Sequence, residues 1–180
     1  MCGSSLLTNT RVLTAAHCWR TLGMQGRSVV VVLGSLTLFS GGTRVTSTNV
    51  QLHANYNMNN LQNDIAIIVI PWVNYNNNIR NIGLASGSNA FVGANAVAAG
   101  YGLTADSGGS TGRLRHVTLQ VITNAECART YGSVIIASTI CTSSASNRNV
   151  CQGDSGGSLV AGGQLVIFLF YTLFLTFVIE

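Results

Sequence analysis

Gly153-Asp154-Ser155-Gly156-Gly157 is the stretch on which the reading turns. Its serine lies between glycines at the spacing G-x-S-x-G. Two scaffolds present a reactive serine in such a setting. In one, an α/β sheet, an acid and a histidine follow the serine in the chain. In the other, both precede it. Nothing after Ser155 qualifies here: the histidines are His17, His53 and His116, and the only later acid is Glu180. The order histidine, aspartate, serine is left.

Working outward, the partners are chosen by their settings. His17 sits in Leu13-Thr14-Ala15-Ala16-His17-Cys18, where small residues hold it beside an apolar strand end. His53 lies in the polar run Gln51-Leu52-His53-Ala54-Asn55, and His116 adjoins Arg115, so both read as ordinary surface imidazoles. Among the acids, Asp154 neighbours Ser155 and points elsewhere, and Asp106 falls in a glycine-serine loop, solvated. Asp64 opens the apolar run Ile65 to Ile70. A carboxylate buried there demands partners, and an imidazole N–H donated by His17 would supply one. The bland alternative for Asp64 is a turn acid at a strand end.

The rest of the chain reads as short strands. Leu6-Leu7 and Arg11-Val12-Leu13 flank the turn-like Thr8-Asn9-Thr10, and Val29 to Leu33 is β-branched and broken by Gly34-Ser35. Thr43 to Thr48 and Leu114 to Ile122 alternate, and Ala94 to Ala99 is a small-residue strand ended by Gly100-Tyr101-Gly102. The asparagine-rich stretch 74–81 reads as a connector between halves. Asn124-Ala125-Glu126-Cys127 predicts a short helix with Asn124 as its N-cap. Frequent short strands with glycine-rich turns argue for an all-β barrel or sandwich. The tail differs: Leu165 to Ile179 is apolar apart from Thr172 and Thr176, too short for a spanning helix of about 20 residues and undivided by any turn residue.

Composition excludes several classes. With 47% apolar and 8% charged residues in 180, and a mean hydropathy of +0.39, the chain is neither disordered nor solvating. The formal charge is +4, but the cations are scattered, with Arg113 and Arg115 the only close pair, so no nucleic-acid stripe is expected. All nine cations are arginine. That suits an alkaline or protease-rich working environment, or reflects lineage composition. Five cysteines point to an oxidising compartment. No export signal precedes them, and the chain reads as a fragment. No metal cluster and no cofactor are expected, because the three histidines lack ligand spacing.

Three segments together, Thr14-Ala15-Ala16-His17-Cys18, Asn63-Asp64-Ile65-Ala66 and Gly153-Asp154-Ser155-Gly156-Gly157, resemble the signatures of the chymotrypsin-like (trypsin-fold) serine endopeptidases in order and spacing. The resemblance covers roughly residues 2 to 160. The asparagine-rich, lysine-free style is similar to secreted digestive members in arthropods. The resemblance implies an all-β fold of two antiparallel six-stranded-type β-barrels. Residues 1–164 would form a single peptidase domain: 1–80 an N-terminal barrel with His17 and Asp64, and 81–164 a partial C-terminal barrel with Ser155. Both barrels are expected to be incomplete, the first without its opening strand and the second without its closing strands. Residues 165–180 are expected to be an aberrant apolar tail.

Roles follow from the resemblance, residue by residue. Ser155 would be the nucleophile, His17 the general acid/base and Asp64 the orienting acid, with the N–H groups of Gly153 and Ser155 as oxyanion hole. Asn149 matches the floor of the specificity pocket. Being neutral, it implies chymotrypsin-like or broad preference rather than strict Arg/Lys cleavage. Cys2–Cys18 and Cys127–Cys141 match family disulfides, and Cys151 matches a cysteine whose partner lies beyond this sequence. Asp154 matches the acid that pairs with the family's mature N-terminal amine, and without a cation it would be poorly paired. The implied partners are protein or peptide substrates and proteinaceous inhibitors, with no nucleic acid and no membrane, and the implied location is secreted. Two functional readings stand, an endopeptidase and a non-catalytic protease homologue that binds or regulates. Truncation would leave this chain inactive in the first.

Overall fold

The computed structural model of the protein describes residues 1–86, 91–104, 109–110, 112–143, 149–169 and 175–178. The loop carrying Asp106 lies outside them. The first half contains β1 (Ser5–Thr8), β2 (Arg11–Thr14), β3 (Arg20–Thr21), β4 (Met24–Gln25), β5 (Val29–Leu33), β6 (Thr43–Ser47), β7 (Val50–Leu52) and β8 (Ala66–Val69). In the second half β9 (Asn95–Gly100) and β10 (Arg115–Ile122) precede the helix α1 (Asn124–Tyr131). They are followed by β11 (Thr139–Thr142), β12 (Ser158–Ala161), β13 (Gln164–Leu169) and β14 (Leu175–Val178).

Strand chemistry is clearest in β5. Four consecutive valines are stiff at χ1 and suit a pleated surface. Their alternation buries Val31 and Leu33 and leaves Val30 55% exposed. β5 pairs antiparallel with β6, from Val29 opposite Ser47 to Leu33 opposite Thr43. A separate antiparallel sheet runs β1-β2-β8-β7. Leu6, Val12, Val31, Leu33, Ile68 and Ile70 pack between these two sheets. Among the described residues the first half does not close into a barrel, because β1 and β5 each keep one unpaired edge. Such edges invite pairing with other chains.

The second half departs from the sequence expectation. Its sheet closes as β10-β11-β14-β13-β12-β9, and the closing strands come from the apolar tail itself. β13 and β14 pair antiparallel, with Phe168 opposite Phe177. The run has no turn residue, yet its described strands β13 and β14 are paired on both sides, and closure removes two edges that would otherwise be bare. The tail is also anchored to the rest of the molecule. Leu165 is 2% exposed and packs with Leu13 and Ala15 of the first half. Its N–H donates to Gly83 O and its carbonyl accepts from Ala85 N, both at 2.8 Å. Burial of a side chain this size contributes about 2 kcal/mol. Leu165 is therefore a structural residue that joins the halves.

Small side chains shape the second core. Ala96 and Ala98 of β9 face inward and leave room for Leu159, Val121 and Ile140. The helix cap is one residue earlier than expected: Thr123 Oγ1 accepts from Glu126 N at 3.1 Å, so Thr123, and not Asn124, is the N-cap of α1. Two disulfides tie the ends of these elements, Cys2–Cys18 in the first half and Cys127–Cys141 between α1 and β11. No helix among the described residues is long and apolar enough to cross a membrane.

Candidate active site

His17 and Asp64 come together. β2 runs into a 3-10 turn over Ala16–Cys18, closed by Cys18 N to Ala15 O and Trp19 N to Ala16 O. Ala15 and Ala16 are fully buried, and such small side chains let the turn sit deep in the fold. The opposing carboxylate is delivered by the segment before β8. Asn63 has φ +54°, a left-handed conformation that asparagine tolerates better than most residues. Asp64 is 2% exposed. His17 Nδ1 lies 2.6 Å from Asp64 Oδ2, and the His17 backbone N–H donates to Oδ1, also at 2.6 Å. Both carboxylate oxygens are thus engaged by one residue. An ionised carboxylate only accepts, so opposite such a carboxylate Nδ1 is the donor, which in a neutral imidazole leaves the Nε2 lone pair as the acceptor.

Ser155 lies on a tight turn closed by Asp154 N to Cys151 O (3.0 Å) and Gly157 N to Asp154 O (2.9 Å). Gly153 and Gly156 take φ +100° and +78°, where a Cβ is strained. Ser155 is 5% exposed. Among the described residues the Gly153 and Ser155 N–H groups have no acceptor in the protein. The N-terminal segment brackets this turn against the histidine's strand. Gly3 N donates to Ser155 O at 2.7 Å, and Gly3 O accepts from Thr14 Oγ1 at 2.9 Å. The neighbouring Cys2 is bridged to Cys18, whose sulfur lies 3.8 Å from both His17 Nε2 and Ser155 O. These are contacts only, because a disulfide sulfur has no proton to donate.

Asp154 is better satisfied than the sequence suggests. Its Oδ1 accepts from Gly102 N at 2.8 Å and its Oδ2 from Cys151 N at 2.9 Å. Two backbone donors thus engage both carboxylate oxygens, which corrects the expectation of a poorly paired acid. A Cβ at either Gly100 or Gly102 would overlap the Asp154 carboxylate, which explains the glycines on both sides of Tyr101.

The other sequence candidates are scattered. Asn149 is half-buried and turns its Oδ1 back to accept from Val150 N at 2.9 Å. Cys151 is a free thiol. His53 and His116 are exposed. Cys2, Cys18 and His17 offer ligand atoms within 4.8 Å of one another, but both sulfurs are consumed in the disulfide and offer no thiolate.

The sequence reading missed three contributors: the Gly3 bracket, the Gly100/Gly102 cradle and Tyr56. Tyr56 OH donates to Arg20 O at 3.0 Å. Burial, together with the negative charge of Asp64, pushes its phenol up to about 12. Tyr101 is also pushed up by burial, with Arg44 opposing, and its hydroxyl donates to Ser35 O at 2.5 Å. A folded-state value above the unfolded one favours the neutral phenol in the fold. The stabilisation is then complete below about pH 10 and is lost as pH rises through the folded value. The melting temperature of the protein should therefore fall across that alkaline window. Tyr56→Phe, which cannot ionise, should flatten the fall, with Tyr101 leaving a residual slope. An identical alkaline limb in the variant would show that Tyr56 is not the titrating group.

Comparison with known proteins bears directly on this geometry. A family model described as Trypsin matches residues 1–172. Trypsin beta of Drosophila erecta is 39% identical over 171 residues, covering 92% of this chain and 66% of its own length. Collagenase of Hypoderma lineatum is 39% identical over 163 residues, covering 88% of this chain and 60% of its own length. Among solved structures, HL collagenase superposes with a TM-score of 0.86 at 33% identity, covering 98% of this chain and 80% of that one. The chain spans 66% and 60% of the length of these two curated relatives, less than two thirds of each. The family match runs past residue 164, so residues 165–172 lie within it, in agreement with the anchoring of Leu165. With the match extending from the bracket at Gly3 through the Ser155 turn and into β13, the chain belongs to the trypsin family.

Proposed function

We propose that the protein is a secreted serine endopeptidase that cleaves peptide bonds through an acyl-enzyme. The observation that carries this reading is the double engagement of Asp64 by His17, at 2.6 Å through Nδ1 and 2.6 Å through the backbone N–H. In this reading Ser155 Oγ attacks the substrate carbonyl and its proton passes to His17 Nε2. The imidazolium is stabilised by Asp64. The developing oxyanion accepts from the Gly153 and Ser155 N–H groups, each donor lowering the barrier by about 3–4 kcal/mol. Collapse breaks the C–N bond, and the proton moves from His17 to the leaving amine. Water then repeats the sequence on the ester and restores Ser155. Asp154 holds the turn through its two backbone bonds and takes no proton.

Secretion is supported by the two disulfides, which persist in oxidising compartments. The substrate class is protein or peptide, with proteinaceous inhibitors as a second class of partner. At the cleaved residue Asn149 offers an amide and no charge, so strict Arg/Lys preference is not expected, although relatives carry the name trypsin. Turnover of chromogenic peptides with Phe, Leu or Arg before the scissile bond tests this. Cleavage of the Phe and Leu peptides at least as fast as the Arg peptide is expected. Cleavage confined to the Arg peptide would overturn the specificity, and no cleavage of any peptide would favour a non-catalytic homologue.

A further inference from the structure

Two segments deliver the His17–Asp64 pair, and one side chain ties them together. Asp64 follows a loop closed on itself by His53 N to Ile65 O (2.9 Å) and Asn63 Nδ2 to Asn55 O (3.0 Å). These bonds place residues 55–56 alongside residues 63–64. His17 is followed by the chain through Trp19 and Arg20. The Tyr56 hydroxyl reaches from the first segment to the Arg20 carbonyl of the second, at 3.0 Å and across 36 positions of sequence. Tyr56 is half-buried, and the Asn63–Asn55 bond ties its chain neighbour to the residue before Asp64. Leu61 (φ +58°) and Asn63 (φ +54°) give the loop two left-handed residues just before Asp64. Non-glycine residues persist in that conformation where surrounding structure holds them.

We propose that Tyr56 is a positioning residue for the His17–Asp64 pair, acting through its hydroxyl bond to the Arg20 carbonyl and seconded by the Asn63–Asn55 bond on the carboxylate side. Loss of the phenol hydroxyl frees the two segments to drift, and water gains access to the Nδ1–Oδ2 bond. The proposal deepens the peptidase reading, but its main readout does not depend on turnover.

The test is the His17 Nδ1 proton in 15N-labelled full chain, observed by NMR in water. A hydrogen bond as short as 2.6 Å to a 2%-exposed carboxylate should give a downfield signal protected from exchange. In Tyr56→Phe, which keeps the ring and the fold, the signal should broaden through faster exchange, and Asn63→Gly, which keeps the backbone conformation, should act in the same direction. In the same Tyr56 variant kcat should drop about fivefold, the worth of one net hydrogen bond, with KM unchanged. An equally sharp signal in both variants overturns the proposal, whatever happens to their melting temperatures. So does the absence of a protected signal in the unsubstituted protein. If the signal responds and no protein in the series cleaves peptide, the positioning role stands and the peptidase reading falls.

Discussion

Ser155→Ala should lower peptide hydrolysis by about 10⁶-fold in kcat. In the proposed mechanism the Ser155 hydroxyl forms the acyl bond, so without it the residual reaction must proceed by direct attack of water in the same cleft. The substitution deletes one oxygen from a residue that is 5% exposed, on a turn held by backbone bonds. The Gly3 N–H bond goes to the Ser155 carbonyl, which alanine keeps. Melting temperature and KM should therefore stay close to those of the unsubstituted protein. A fall in kcat of less than about a hundredfold would show that another residue supplies the nucleophile, since the loss of one positioned proton-transfer group alone accounts for that much.

Asp64→Asn carries the next largest effect, about 10⁴-fold in kcat. Two donors converge on Asp64, the His17 backbone N–H at Oδ1 and the ring Nδ1 at Oδ2. An asparagine offers one oxygen and one NH₂ in the same space. The backbone N–H cannot become an acceptor, so it claims the oxygen, and the NH₂ then faces Nδ1. That nitrogen must give up its proton, and the ring switches to the tautomer with the proton on Nε2. The imidazole then points a donor where the mechanism needs an acceptor. Because shape and volume are nearly conserved, the kinetic loss should far exceed the change in stability. Measuring kcat together with the melting curve separates the two. Equal losses in both would mean that Asp64 only holds the fold together.

Much of this site is legible in the sequence, for identifiable physical reasons. The order of His17, Asp64 and Ser155 survives any folding of the chain between them, so it can be read without coordinates. Asp64 stands out from the other acids because a carboxylate leading into Ile65 to Ile70 must be buried, and it is. What escapes is chemistry that depends on distant backbone. The Gly3 bracket needs a carbonyl 152 positions away, and no local pattern announces it. The two donors on Asp154 are backbone N–H groups, invisible to residue type. Tyr56 acts through a carbonyl at Arg20. The strand pairing of β13 with β14 is hidden for a different reason. Strand pairs are expected to be divided by glycine, proline or asparagine, and the run from Leu165 has none, yet the closed sheet gives its strands partners on both sides. The cap of α1 shifted by one residue because Thr123 and Asn124 are both competent caps and only geometry chooses between them.

The central claim is that Ser155 is made reactive by His17 in the folded chain. Its most direct test is treatment of the intact protein with a fluorophosphonate, followed by peptide mapping of the adduct. One phosphonyl group per chain on Ser155 is expected, with none in Ser155→Ala and a much slower reaction in His17→Ala. No adduct on Ser155, or an equal rate with His17 removed, would contradict the account.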